Sequence, residues 1–289
     1  MYLVLKIFSA LVIFTFTIIG VLVTVVFFGM QYGVFNVPGS IINRNASFGP
    51  VPTTTNPLPN SIGCQPQYSQ IDPCEWNETV EWAVVKGGLE KDAPIINKVA
   101  KETGVSARLI ASGVIPEQLR FFAEDNNREI FKRYFEPLKL LVSLSKFSLG
   151  VSGIKQDTAT MIEEYANDQN SVFYPGDEIA PLLSYPNNTN HDRDLFNRLT
   201  DEKNHYYSYL YTAIFLKEII NQWQKEGFDI RERPDVLVTL FNLGFSASLP
   251  KENPQVAGAD IKIGGQNYSF GYLGTLFYQS DELGEIIHK

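Results

Sequence analysis

The sequence is poor in several residue types, and each scarcity excludes something. Among 289 residues there are two cysteines, three histidines and three methionines. Cys64 and Cys74, with no histidine near them, cannot supply a four-ligand zinc site, and no metal or cofactor is expected. No lysine- or arginine-rich run appears, and the formal net charge is −8. A chain without a basic stripe suits phosphate backbones poorly, which excludes nucleic acid as the expected partner. Strand signals are few, so the expected fold class is mainly α with a small β element. Charged residues are absent altogether from Ile7 to Met30.

That uncharged stretch, IFSALVIFTFTIIGVLVTVVFFGM, is long enough for a helix to cross roughly 30 Å of hydrocarbon. Signal-peptide apolar regions are shorter and end in small-residue cleavage sites. No such site stands near Tyr32–Pro38, so an uncleaved anchor over residues 1–30 is expected. Lys6 precedes the span, and the first basic residue after it is Arg44. The positive-inside rule then leaves the N-terminus cytoplasmic and the remainder outside, with the lipid bilayer as a partner of residues 7–30. Residues 31–61 are rich in Pro, Asn, Thr and Gly without an apolar period, and read as an extended tether. Cys64 and Cys74 then bracket a short loop in an exported chain, a setting in which two cysteines pair.

Residues 62–289 are enough for one domain with a real core. Their composition is globular, and aromatics reach 13% of the chain, mostly Tyr and Phe. Tyrosine suits carbohydrate, because its ring covers the apolar face of a sugar while its hydroxyl hydrogen-bonds; a Tyr-rich core reads equally well. Apolar spacing predicts a short helix over Glu75–Val85 and another capped by Asp92 that ends at Gly104. A third starts at Ser106. Further helices are expected over Arg128–Ser145, Thr158–Asn167, Asp192–Glu226 (interrupted) and Arg233–Leu243. Ala259–Phe270 reads as a hairpin turning at Gly264-Gly265.

Three segments carry chemistry. In VSARLIASGVIPEQLRFF a capped apolar helix delivers one acid, Glu117, beside Ile115, Leu119, Phe121 and Phe122. Apolar surroundings disfavour a carboxylate, which keeps a proton available for general acid catalysis. Pro116 frees the Ser112 carbonyl, and either kinks the helix before Glu117 or marks its end. In FSLGVSGIKQDTA, Gly150 and Gly153 allow close backbone approach, to a ligand or to a neighbouring helix. In TLFNLGFSAS, Asn242 can donate to and accept from an amide-bearing sugar, or simply end a helix before Gly244.

Taken in order, these segments resemble the lytic transglycosylases, which have a goose-type lysozyme-like fold. Ser106–Arg120 is similar to the family's catalytic helix, with Glu117 in the glutamate position and Ala107 where a proline is expected. Ser148, Gly150, Ile154, Lys155, Thr158 and Ala159 match its Ser-x-Gly turn and the Ile-Lys-x-x-Thr-Ala that follows. Phe241, Asn242 and Gly244 resemble its Tyr-Asn-x-Gly segment. The Tyr-rich stretch Asn204–Leu216, with Tyr206 and Tyr207, resembles its substrate-lining helix. The resemblance covers about Asp92 to Ser248. It departs at Gly153, where a glutamine is expected (Gln156 is the substitute contact); at Gln118, where a serine is expected; and at Phe241, which lacks the tyrosine hydroxyl. Residues 121–146 read as a helical insertion, and 250–289 as an extension without a counterpart.

The resemblance implies peptidoglycan glycan strands as substrate and Glu117 as sole acid and base. Ser148, Gly150, Gly153, Lys155, Tyr206, Tyr207, Phe241 and Asn242 become the expected substrate contacts. One carboxyl suffices for anhydro-forming cleavage, unlike two-carboxylate glycosidases. The rival readings are lysozyme-like hydrolysis and a non-catalytic, membrane-tethered wall-binding protein.

Overall fold

The computed structural model describes residues 14–18, 20–21, 24, 75–123, 148–186, 190–201 and 203–289. The tether, Cys64, Cys74 and the helix expected at Arg128–Ser145 lie outside the described residues, as does most of the expected span. Residues 14–18, 20–21 and 24 are helical, with Phe14, Phe16, Ile18 and Val21 exposed. Among the described residues no helix is long and apolar enough to cross a membrane.

From residue 75 onward the described residues form one mainly helical unit. A single 3-10 turn, Trp76–Glu78, leads into α1, Val80–Thr103. Thr79 caps α1, accepting from the Trp82 amide at 3.2 Å and donating to the Trp76 carbonyl at 2.8 Å. The helix ends at Gly104, whose φ of 74° is the left-handed value that glycine takes without strain. Two separate helices were expected here, the second capped by Asp92. Instead Asp92 lies mid-helix, 2% exposed, and accepts from the Tyr209 hydroxyl at 2.9 Å, with His205 Nδ1 at 2.5 Å. The partners that satisfy its carboxylate stand on another helix, so tertiary pairing overrides the capping preference. Pro94 is carried inside α1 as a result.

The second helix, α2 (Ala107–Ala123), begins where Ser106 Oγ accepts from the Leu109 amide. Ile110, Ala111, Val114, Ile115 and Leu119 are fully buried along it. Beyond a small hairpin come α3 (Gln156–Asn167), α4 (Ala180–Leu183), α5 (His191–Leu199) and α6 (Tyr206–Lys225). The interruption expected between Asp192 and Glu226 is the α5–α6 junction. Along α6, Tyr209, Leu210, Tyr211, Ala213, Ile214, Phe215, Leu216, Ile219 and Trp223 are at most 1% exposed. Helices buried over most of their surface belong in a core, and α2 and α6 are its centre. Each buried Ile or Leu there contributes about 1.5–3 kcal/mol.

One α6 residue opposes this. Glu218 is fully buried, and neither carboxylate oxygen has a hydrogen-bond partner among the described residues. Burial pushes its pKa well above the ordinary carboxylate value. A raised folded-state pKa leaves stability intact below the unfolded value, near 4.3, and removes it as pH rises above that. Glu218→Met is therefore expected to raise the denaturation midpoint at pH 8, by about 1–3 kcal/mol in stability, and by less at pH 4. Urea titrations of both proteins at the two pH values check this.

The C-terminal third completes the core. Pro234–Leu243 forms α7, and Asp260–Ile263 (β3) pairs with Gln266–Ser269 (β4). The antiparallel register sets Ile261 opposite Tyr268 and Ile263 opposite Gln266. Gly264 and Gly265 both take positive φ, as the expected tight turn requires. The last helix, α8 (Phe270–Gln279), packs on α7 and α2. It comes close enough that a Cβ on Gly274 would lie 2.7 Å from the Ser112 carbonyl oxygen, the group Pro116 leaves without its helical donor. Buried Arg108 on α2 donates to the carbonyls of Phe277, Tyr278, Ser280 and Glu282, capping the C-terminus of α8. The segment after Pro250, which has no counterpart in the family resembled, is thus built into the domain through Phe270, Leu273 and Phe277.

Candidate active site

The site is made where α2 meets the first hairpin. Ser148–Leu149 (β1) pairs antiparallel with Ile154–Lys155 (β2), Ser148 opposite Lys155 and Leu149 opposite Ile154. The connecting turn holds Gly150 at φ 61° and Gly153 at φ 69°. Both glycines are needed for close approach as well as for their dihedrals. A Cβ on Gly150 would overlap the Leu199 carbonyl and the Ser208 hydroxyl, where α5 gives way to α6. A Cβ on Gly153 would stand 2.5 Å from Cδ and 2.6 Å from Cγ of Glu117. The turn is wedged between the α5–α6 junction on one side and the Glu117 carboxylate on the other.

Glu117 is 4% exposed. Its surroundings are not apolar alone: Arg120 Nη2 lies 2.7 Å from Glu117 Oε2, one helical turn on. The sequence reading weighed the hydrophobic neighbours and missed this cation, although the three-residue spacing on a helix signals such a pair. The next residue, Gln118, is fully buried and its amide donates to the Val151 carbonyl, tying α2 to the turn. Gln118 Oε1 and the Ser152 hydroxyl, both buried here, have no hydrogen-bond partner among the described residues.

The third segment reaches the same face of α2 one turn earlier. A Cβ on Gly113 would meet the Phe241 ring at 3.5 Å and the Thr212 methyl at 3.4 Å. Residues 113 and 117, four apart, share one helix face. Phe241 therefore flanks the acid's face, packed edge-on against Phe215 with ring centres 5.5 Å apart. Asn242 is used differently: its side-chain oxygen accepts from the Ala259 amide at 2.8 Å, holding the chain that enters β3. Gly244 follows as the C-cap of α7. Of the two open sequence readings of Asn242-Leu243-Gly244, the helix end is the one formed.

The two tyrosines diverge. Tyr206 donates to Glu102 on α1 at 2.7 Å. Tyr207 faces a separate open cleft of about 690 Å³, lined also by Tyr185, Asp194, Asn197 and Arg198. The Arg198 guanidinium is stacked 3.5 Å from the Tyr185 ring centre and 4.4 Å from that of Tyr207. Beneath it, buried Glu163 accepts from the Tyr185 and Tyr211 hydroxyls and lies 2.5 Å from His191 Nε2. Burial and the Glu163 carboxylate push the Tyr185 hydroxyl up. Burial pulls the His191 imidazole down, but Glu163 and Asp192 outweigh it and the net direction is upward. Sequence reading did not single out this cluster, since its members are scattered over α3, α5, α6 and a loop. Glu117 lines neither this cleft nor the one between Asn77, Lys86 and the last residues of the chain.

The fold thus gathers Glu117, Gly150 and Gly153 at one junction, with Phe241 packed one helical turn earlier along α2 and Lys155 two residues beyond Gly153 on the hairpin. Tyr206, Tyr207 and Asn242 have other partners. The Ser148 backbone pairs with Lys155, and its side chain is outside the described residues, as are Glu124, Asp125 and Glu129. Gln156 donates to the Asp192 carbonyl at 3.3 Å, toward α5. No protein-family model, curated protein or solved structure matches the chain.

Proposed function

We propose that the chain is a membrane-anchored peptidoglycan lytic transglycosylase built on a lysozyme-like fold, with Glu117 as its catalytic acid and base. One observation carries the reading: the only acid on α2 is brought into van der Waals contact with a glycine turn some thirty residues away in sequence. A turn with no side chain at that point lets the Glu117 carboxyl group pack directly against main chain. The exposed apolar side chains at Phe14, Phe16, Ile18 and Val21 support a lipid-facing anchor.

In the reaction, Glu117 gives its proton to the oxygen joining N-acetylmuramic acid to N-acetylglucosamine as the bond from C1 to that oxygen breaks. The carboxylate so formed takes the proton from the muramoyl 6-hydroxyl, whose oxygen bonds to C1. The acid is regenerated and the product carries a 1,6-anhydro end, with no water consumed. One carboxyl serves both steps, whereas hydrolases of the usual kind need two.

Full-length protein in detergent, incubated with purified peptidoglycan in oxygen-18 water, tests this by mass spectrometry of the products. Anhydromuramoyl ends without heavy oxygen are expected. Reducing ends carrying oxygen-18 indicate the hydrolytic rival. The ion pair between Glu117 and Arg120 favours a third reading, a non-catalytic wall-binding protein, which glycan binding without any product supports.

A further inference from the structure

We infer that Arg120 is the residue that selects an acidic glycan, binding a carboxylate of the substrate and leaving Glu117 as it does so. The inference rests on the proposed glycan cleavage and names the chemical class of strand that the site takes.

The argument begins with the closed state of the acid. Glu117 Oε2 is held by Arg120 Nη2 at 2.7 Å, and the other oxygen is pressed against Gly153. A carboxylate committed to a guanidinium has no proton to give a glycosidic oxygen, so the pair has to open and the carboxylate take up a proton from solvent before the acid acts. A neutral sugar offers only uncharged acceptors, weaker partners for the guanidinium than the carboxylate it already holds. A carboxylate on the substrate competes, because it offers the same two-oxygen acceptor and the planar fork of arginine matches it.

Exposure sets the direction of that exchange. The Glu117 side chain is 5% exposed and that of Arg120 is 26% exposed. An incoming anion therefore meets the guanidinium before it meets the carboxylate. A second cation, Lys155, stands on the hairpin. It is exposed and two residues past Gly153, hence within about 7 Å of it along an extended strand. Muramic acid supplies the matching group, the lactyl carboxylate next to the bond that is cut, free where the stem peptide has been removed. The inferred preference is thus for strands with free lactyl carboxylates over uncharged N-acetylglucosamine polymers.

Calorimetric titration of full-length protein in detergent tests this without relying on turnover. The probes are a muramic-acid-containing tetrasaccharide with free lactyl carboxylates and chitotetraose. Wild type is expected to bind the acidic probe about tenfold more tightly, the scale of a charge-assisted hydrogen bond. Arg120→Gln brings the ratio near one, and Arg120→Lys restores part of it. A ratio unchanged in Arg120→Gln, an equal affinity of wild type for both probes, or binding of neither overturns the inference. Circular dichroism confirms that each variant is folded. Acid-selective binding lost in Arg120→Gln, with no cleavage by wild type, leaves the inference standing and removes the catalytic reading instead.

Discussion

Glu117→Gln is expected to reduce peptidoglycan cleavage by about a thousandfold while leaving the helical domain folded. The glutamine amide fills the same space against Gly153, so the α2–hairpin junction keeps its packing. What it removes is the only proton that the proposed reaction can pass to the leaving oxygen and the only base for the 6-hydroxyl. General acid–base catalysis is worth about a hundred- to ten-thousandfold, and here both steps use one group. The stability cost stays small, because the amide oxygen can still accept from Arg120 although the ion pair is lost. Release of soluble muropeptides measures the first effect, and thermal unfolding the second. A variant that retains a tenth or more of wild-type turnover removes Glu117 from the mechanism.

Gly153→Ala carries the second large effect and acts by geometry alone. The added carbon falls 2.5 Å from the Glu117 carboxyl carbon, well inside contact distance, and the backbone sits at φ 69°, where alanine is strained. Either the carboxylate is driven off or the turn moves. Gln118 resists the second outcome by holding the Val151 carbonyl, and Gly150 resists it by fitting closely against Leu199. Activity is expected to fall about a hundredfold, as for misplacement of a reacting group by about 1 Å. Stability falls by about 1–3 kcal/mol. By the same geometry a glutamine at 153 has no room beside Glu117. Muropeptide release and urea denaturation on one preparation check the pair of effects.

Much of this architecture could be read from residues alone. The helices expected from Ser106, over Thr158–Asn167 and over Arg233–Leu243 formed as α2, α3 and α7. The Gly264-Gly265 turn fixed the register that sets Ile261 opposite Tyr268, and the break within 192–226 fell at the α5–α6 junction. The misses share a cause. Asp92 carries the local signature of a helix cap, but its partners Tyr209 and His205 are more than a hundred residues away and appear only on folding. Asn242 looks the same in sequence whether its amide meets a sugar or the Ala259 amide. Tyr206 and Tyr207 are adjacent, so on a helix they face about a hundred degrees apart, and no sequence period says which one faces the open cleft. For the site, Glu117 and Gly153 could be named from the chain, but their contact could not. Arg120 was legible by its three-residue spacing from Glu117, but the pair competes in the sequence with the apolar neighbours Ile115 and Leu119.

The account stands most directly on where a glycan lies when it binds. A crystal structure of the Glu117→Gln variant with a muramic-acid-containing tetrasaccharide measures that position. The account predicts a glycosidic oxygen within about 3 Å of the residue 117 amide, against the Gly150–Gly153 turn. A sugar chain seated instead in the Tyr185–Tyr207 cleft, with residue 117 still closed against Arg120, contradicts it.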